Sequence, residues 1–225
     1  MDTSVSLPAT LSPGGMARKF WMLLALGALT YQIEHHRLAL EELQAESMVM
    51  GALPGALDSI EAEAHAAEQR HAAVRDLMPH DTPEHWVAVG DEAIFDEYER
   101  KVREIGRRLN PNVRDTDIPP LRRRLEAICV AGSPSFNPED SPSFTRDRKD
   151  DPMVYTALLG RADYLISDDR DIVPDGSEHH YEHDERHVLA VTFNRFVTTY
   201  FEPIDLDWGA IDGRWLRHVF NDPGG

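Results

Sequence analysis

A chain of 225 residues with 40 acidic and 23 basic side chains carries a formal charge of −17, and its pI is near 4.9. That balance argues against indiscriminate nucleic-acid binding, in which Lys and Arg neutralising phosphates dominate the affinity. The single Cys129 excludes an internal disulfide and fits a reducing cytoplasm, while the length accommodates one good core and an appended subdomain.

The chain opens with Asp2-Thr3-Ser4-Val5, then a turn signal at Pro13-Gly14-Gly15. Met16 to Leu29 has few polar positions and predicts a helix packed on a sheet. Its apolar run is too short for a bilayer, which needs about 20 residues, so no membrane association is expected. Thr30 to Glu34 is a candidate strand, followed by a helix from about Leu38 to Met50 that Pro54 interrupts. Asp58 to Met78 and Asp91 to Leu109 read as polar helices, punctuated by Pro83, Pro111, Pro119 and Pro120. This section is longer than an ordinary loop and predicts a helical insertion.

A strand signal returns at Leu125 to Ala131, where Cys129 reads as a small core residue, and a Ser/Pro-rich loop follows. Asp147 to Val173 then gives an acidic helix start, a short buried helix, a Gly turn at Gly160, an apolar strand over Tyr164-Leu165-Ile166, and a second burst of carboxylates. Ligands of open α/β sheets sit outside the carboxyl ends of strands, so acids delivered there from consecutive elements suggest a metal site. Pro174 to Arg186 reads as a polar loop. In the tract His179 to His187, His180, His183 and His187 have spacings that would suit a metal on a helix. His187 to Val191 is a last strand, Thr192 an N-cap, Phe193 to Phe201 a short helix, and the tail from Pro203 is expected to pack on the core through Trp208 and Trp215.

Helix geometry separates neighbouring acids. On the Leu38 helix, Glu42 shares a face with Leu38, Ala45 and Val49, so it either borders the core or meets a cation; Glu41 turns away, and Glu46 is a weaker candidate. Asp150 shares a face with Val154, Ala157 and Arg161. Asp151 precedes Pro152 and reads as a helix cap. From Arg100 to Arg124 the charge balance reverses, and Arg107, Arg108, Arg122, Arg123 and Arg124 are either a phosphate-binding surface or a solvated helix face.

Six motifs in order, Asp2-Thr3-Ser4-Val5, Leu11-Ser12-Pro13-Gly14-Gly15, Leu40-Glu41-Glu42-Leu43, Asp147-Arg148-Lys149-Asp150, Ala157 to Asp163 and Ser167-Asp168-Asp169, resemble the PIN domain family. These are metal-dependent nucleases that mostly cut RNA, and the similar branch comprises toxin components of bacterial toxin-antitoxin pairs. The resemblance implies a three-layer α/β/α sandwich with a central parallel sheet, formed by residues 1–56 and 121–202. Residues 57–120 would be the insertion and 203–225 a packed tail.

It further implies that Asp2, Glu42, Asp150 and Asp169 are the catalytic acids and ligands of Mg2+ or Mn2+, with Thr3, Asp147, Ser167 and Asp171 accessory. Such acids make sense together, since two carboxylates about 4 Å apart repel by roughly 4 kcal/mol at an effective dielectric of 20, which divalent cations relieve. Hard oxygen ligands favour Mg2+ or Mn2+ over Zn2+. The implied protein is a cytoplasmic endoribonuclease with a small antitoxin as partner, and a homodimer is an open expectation. A haloacid-dehalogenase-like phosphatase also places Asp at strand ends, but it wants Asp-x-Asp where this chain has Asp2-Thr3-Ser4. A non-catalytic PIN-like binding module is the third alternative. Family members carry an apolar strand before the first Asp, whereas here only Met1 precedes it. We therefore expect the DNA upstream to encode, in frame, about four to seven residues rich in Val, Ile and Leu.

Overall fold

The computed structural model describes residues 16–50, 54–76, 82, 84–109, 112–131 and 141–200. Asp2 and Thr3, the Pro13-Gly14-Gly15 turn and the tail from Pro203 lie outside these residues. The chain is mixed α/β and divides into two compact units, Met1–Met22 with Ala88–Asp205, and Leu23–Val87 with Leu206–Gly225. These limits differ from the 56/57 and 120/121 boundaries expected of an insertion.

In the unit that contains Ala88–Asp205, the described elements are β1 (Ala88–Gly90), α3 (Glu92–Leu109), a 3-10 turn (Asp115–Asp117), α4 (Ile118–Ile128), β2 (Cys129–Ala131), α5 (Asp151–Leu159), β3 (Tyr164–Ile166), β4 (Glu178–His183), β5 (Arg186–Val191) and α6 (Phe193–Thr199). Helices α1 (Met16–Met50) and α2 (Pro54–Arg75) precede them. β1 and β2 pair in parallel, with Val89 opposite Val130; β3 pairs in parallel with β5, Leu165 opposite Ala190, and β4 pairs antiparallel on the other side of β5. The expected sandwich around one central parallel sheet is therefore not shown. The described strands form a parallel pair and a three-stranded mixed sheet.

Helix α5 is short and buried on almost every side because its residues are nearly all apolar. Met153, Val154, Ala157 and Leu158 pack with Leu165, Ile172, Val173, Tyr181, Val188 and Ala190 in one core. Gly160 ends the helix where a Cβ would lie 2.3 Å from Val89 Cγ1, so close approach to β1, and not an unusual φ, requires glycine there. Asp91 caps α3 by accepting from the Ile94 N–H (3.1 Å), and its other oxygen accepts from Thr156 Oγ1 on α5 (2.5 Å). Burial pushes the Cys129 thiol up to about 12, which keeps it unreactive near neutral pH.

Three expected elements differ. Thr30 to Glu34 is not a strand: α1 runs unbroken from Met16 to Met50, so the β-leaning Thr-Tyr-Gln-Ile is carried through by the helix on either side. Leu125 to Ile128 belongs to α4, which starts on Pro119-Pro120 near its first turn, and only Cys129–Ala131 is extended. The polar loop from Pro174 is a hairpin from Glu178 onward. Of its strand β4 only Tyr181 is buried, and its two-residue turn, Asp184-Glu185, has positive φ at both positions (48° and 63°).

In the other unit, α1 buries Leu23 to Leu29 as a continuous apolar run. The backbone at Glu84–Trp86 lies against it, since a Cβ on Gly27 would meet Trp86 O at 1.9 Å. Glu84 ties the elements together, accepting from Thr30 Oγ1 (3.0 Å) and pairing with His71 (2.8 Å) and Arg75 (3.1 Å). Burial opposes ionisation of Glu84, but those bonds and charges hold its carboxyl below the ordinary 4.5. No helix among the described residues is long and apolar enough to cross a membrane.

Candidate metal centre

Strand β3 is short because Leu165 and Ile166 are its only fully buried apolar residues, and the chain must turn once the carboxylates begin. Ser167 is buried and its Oγ accepts from the Asp169 N–H (3.0 Å). Asp169 Oδ1 in turn accepts from the Asp171 N–H (2.8 Å), and its carbonyl accepts from the N–H groups of Ile172 (3.2 Å) and Val173 (2.8 Å). These bonds fold 167–173 into a tight turn that holds Asp169 and Asp171 together. Asp168 faces elsewhere, accepting from the Phe193 N–H (3.0 Å) at the start of α6.

Asp150 arrives from the start of α5. Its N–H donates to Asp147 O (2.9 Å), and its carbonyl accepts from the Met153 N–H (3.1 Å). Asp150, Asp169 and Asp171 each offer a carboxylate oxygen, and these atoms lie within 4.8 Å of one another. At that separation each pair of full charges repels by roughly 3.5 kcal/mol at an effective dielectric of 20, and by less where water reaches exposed Asp169. Three carboxylates without Cys or His form a hard oxygen donor set, which fits Mg2+ or Mn2+ and does not fit a thiolate-seeking ion. Arg146 supplies one counter-charge by pairing with Asp171.

Of the expected ligands, then, Asp150 and Asp169 come together, and Asp171, expected as accessory, joins them. Ser167 supports Asp169 through its hydroxyl. Asp147 is exposed, and its Oδ1 accepts from the Lys149 N–H (3.1 Å), a bond local to the loop. Glu42 is an exposed side chain on α1 in the other unit and is not one of the three. Asp2 and Thr3 lie outside the described residues.

Asp151 is corrected. The helix starts at Asp151, one residue earlier than expected, with Asp150 in the cap position and making no side-chain capping bond. Asp151 is fully buried, and its Oδ1 accepts from the N–H groups of Phe144 (3.0 Å) and Thr145 (2.8 Å) and from Thr145 Oγ1 (2.7 Å). Its Oδ2 makes no hydrogen bond among the described residues and lies 3.6 Å from Arg148 Nε. It anchors the preceding loop to the helix and caps nothing.

The basic run is largely self-neutralised. Arg122 on α4 reaches Glu92, Asp96 (2.5 Å) and Glu99 (3.3 Å) on α3 and Glu126 (2.6 Å) on its own helix, and these bonds raise its pKa against the cost of burial. Such a guanidinium clamps two helices and is not offered to phosphate. Arg108 and Arg123 are exposed, Arg124 is half-buried, and the side chain of Arg107 lies outside the described residues. Of the histidines on the hairpin, none joins the three-acid group, which is the one cluster of its kind among the described residues.

What the residue pattern did not disclose is the wall beside the acids. Phe144, Arg146, Arg170, His179 and Tyr181 come from three separate segments and surround one cavity. The only signal in the sequence was the proximity of Phe144 and Arg146 to the acidic motif. No known protein family, no curated protein and no solved structure matches this chain significantly.

Proposed function

We propose that this chain is a PIN-type endoribonuclease dependent on Mg2+ or Mn2+, cytoplasmic, and held in check by a small antitoxin. With that goes the finer fold, an α/β/α sandwich with a central parallel sheet. The observation that carries this reading is the convergence of Asp150, Asp169 and Asp171 at the end of a strand and the start of a buried helix. Asp2 and Glu42 enter only through the resemblance of the motifs.

Asp150, Asp169 and Asp171 would hold the cation, and Ser167 would fix the orientation of Asp169 through the Asp169 N–H bond. A divalent cation there would supply a water of lowered pKa and charge stabilisation for an in-line phosphodiester displacement. No side-chain nucleophile is required of the protein. Arg146 would balance the charge of Asp171 and draw phosphate toward the acids.

The test is cleavage of labelled single-stranded RNA with Mg2+ or Mn2+, with and without EDTA. Asp169→Asn removes a negative ligand while keeping shape, so turnover should fall at least about a hundredfold, the scale of losing a group that acts on the transition state. Melting temperature should change little. Unchanged cleavage by Asp169→Asn would remove this residue from the mechanism. Hydrolysis of small phosphomonoesters without RNA cleavage would favour the phosphatase, and RNA binding without cleavage the non-catalytic module.

A further inference from the structure

Next to the acid group lies a cavity of about 430 Å3 with Arg146, Arg170, Asp171 and His179 on its rim and Phe144 and Tyr181 on its wall. That volume is within the usual range of small-molecule sites, roughly 300–1,000 Å3. The wall is rigid. Tyr181 is buried and its hydroxyl donates to Ile172 O (2.8 Å); Phe144 packs edge-on against it at 6.3 Å between ring centres, and His179 lies at 4.7 Å on another edge. Burial pushes the Tyr181 hydroxyl up to about 12, aided by the charges of Asp151, Asp150 and Asp171, so the wall stays neutral. The segment carrying Phe144 is held in turn by the buried Asp151.

The rim has a different character. Arg146 is exposed and paired with Asp171, whereas Arg170 is exposed and has no ion-pair or hydrogen-bond partner among the described residues. Arg146 and Arg170 are the arginines of this lining, and Arg170 is the one that no carboxylate among the described residues engages, which leaves its guanidinium open to an anion. Guanidinium forks match phosphate oxygens, and aromatic rings match the faces of bases without demanding a particular sequence.

We propose that this cavity receives one nucleotide unit of single-stranded RNA, with its phosphate against Arg170 and Arg146 and its base against Phe144 and His179. Asp171 belongs both to the rim and to the acid group, so a unit seated there lies next to the site of phosphodiester cleavage. The proposal rests on the nuclease reading above for the identity of the strand, and every contact it names is to a side chain of the cavity lining.

The experiment is binding of a short fluorescein-labelled single-stranded RNA to the full chain in EDTA, followed by anisotropy over a range of salt. Arg170→Ala should weaken binding about tenfold and lower the slope of log affinity against log salt by about 0.7, the value for one phosphate contact on a single strand, while Arg37→Ala, an exposed position on α1, stays within about twofold. Adenosine 5′-monophosphate should displace the probe at concentrations where inorganic phosphate and adenosine do not. Equal effects of the two arginine variants, or displacement by inorganic phosphate as effective as by the mononucleotide, would overturn the site. So would absence of binding by the unaltered protein. Cleavage that persists with Arg170-independent binding would sink the cavity alone. Arg170-dependent binding by a protein that cleaves nothing with Mg2+ or Mn2+ would sink the nuclease reading alone.

Discussion

Asp150 and Asp151 are neighbours of the same type with opposite tasks, and burial separates them. Asp151 is fully buried and accepts three hydrogen bonds from Phe144 and Thr145, so its loss leaves those donors unsatisfied. Asp151→Ala should therefore cost about 2–4 kcal/mol, well beyond the roughly 1 kcal/mol of a helix cap. Asp150→Ala removes a charge that repels Asp169 and Asp171, so the metal-free protein should be as stable or slightly more so, while RNA cleavage is lost. Urea unfolding and a cleavage assay on both variants decide it. A stable, inactive Asp151→Ala beside an unstable, active Asp150→Ala would reverse the assignment. The resemblance of the motifs implied the place of Asp150 among the acids, and angular spacing agreed with it. That spacing did not place Asp151, because a side chain turned back onto residues 144–145 is a tertiary contact with no local periodicity.

Elements behaved differently according to how much of their stability is local. β3, β5 and α6 were legible because Leu165-Ile166, the run ending in Val191, and Thr192 with its Arg195 N–H bond carry ordinary strand and cap signals. β4 was not. Its residues are polar because only Tyr181 faces the core, and its strand character comes from pairing with β5. Helix α1 shows the same override in the other direction, and Gly27 within it carries a testable consequence. Alanine is the better helix former by about 1 kcal/mol, yet a Cβ here would stand 1.9 Å from the carbonyl oxygen of Trp86. Backbone cannot move aside cheaply, so Gly27→Ala should destabilise by about 3 kcal/mol or more. A melting temperature equal to or above that of the unaltered chain would mean that the 84–86 segment does not pack on α1.

At the scale of the molecule, charge is the governing quantity. Acidic residues outnumber basic ones 40 to 23, and the basic run on α3 and α4 is largely consumed by its own helices, with Arg100 on Glu97 and Glu104, Arg103 on Glu99, and Arg122 on four carboxylates. Affinity for RNA is then expected to be modest and strongly salt-dependent, and cations should stabilise the chain where acids converge. A cation present at about 100 times its dissociation constant adds roughly 2.7 kcal/mol, or several degrees in melting temperature for a chain of this size. Thermal scans should show that rise with Mg2+ or Mn2+, its reversal by EDTA, and its loss in Asp169→Asn. An identical rise in the variant would place the bound ion elsewhere.

The sequence by itself determined the mixed α/β class, the apolar β3 and β5, the helix that follows Asp150, and the proximity of Asp169 to a strand end, because each depends on residues a few positions apart. Only tertiary structure decided that Asp171 stands with Asp150 and Asp169, that Asp151 is an anchor, that Arg122 is a clamp between helices, and that Phe144, Arg170 and His179 share a cavity. Such placements depend on where the chain returns after long separations. Periodicity encodes which face of an element is apolar, and it carries no record of which distant side chain will meet the polar one.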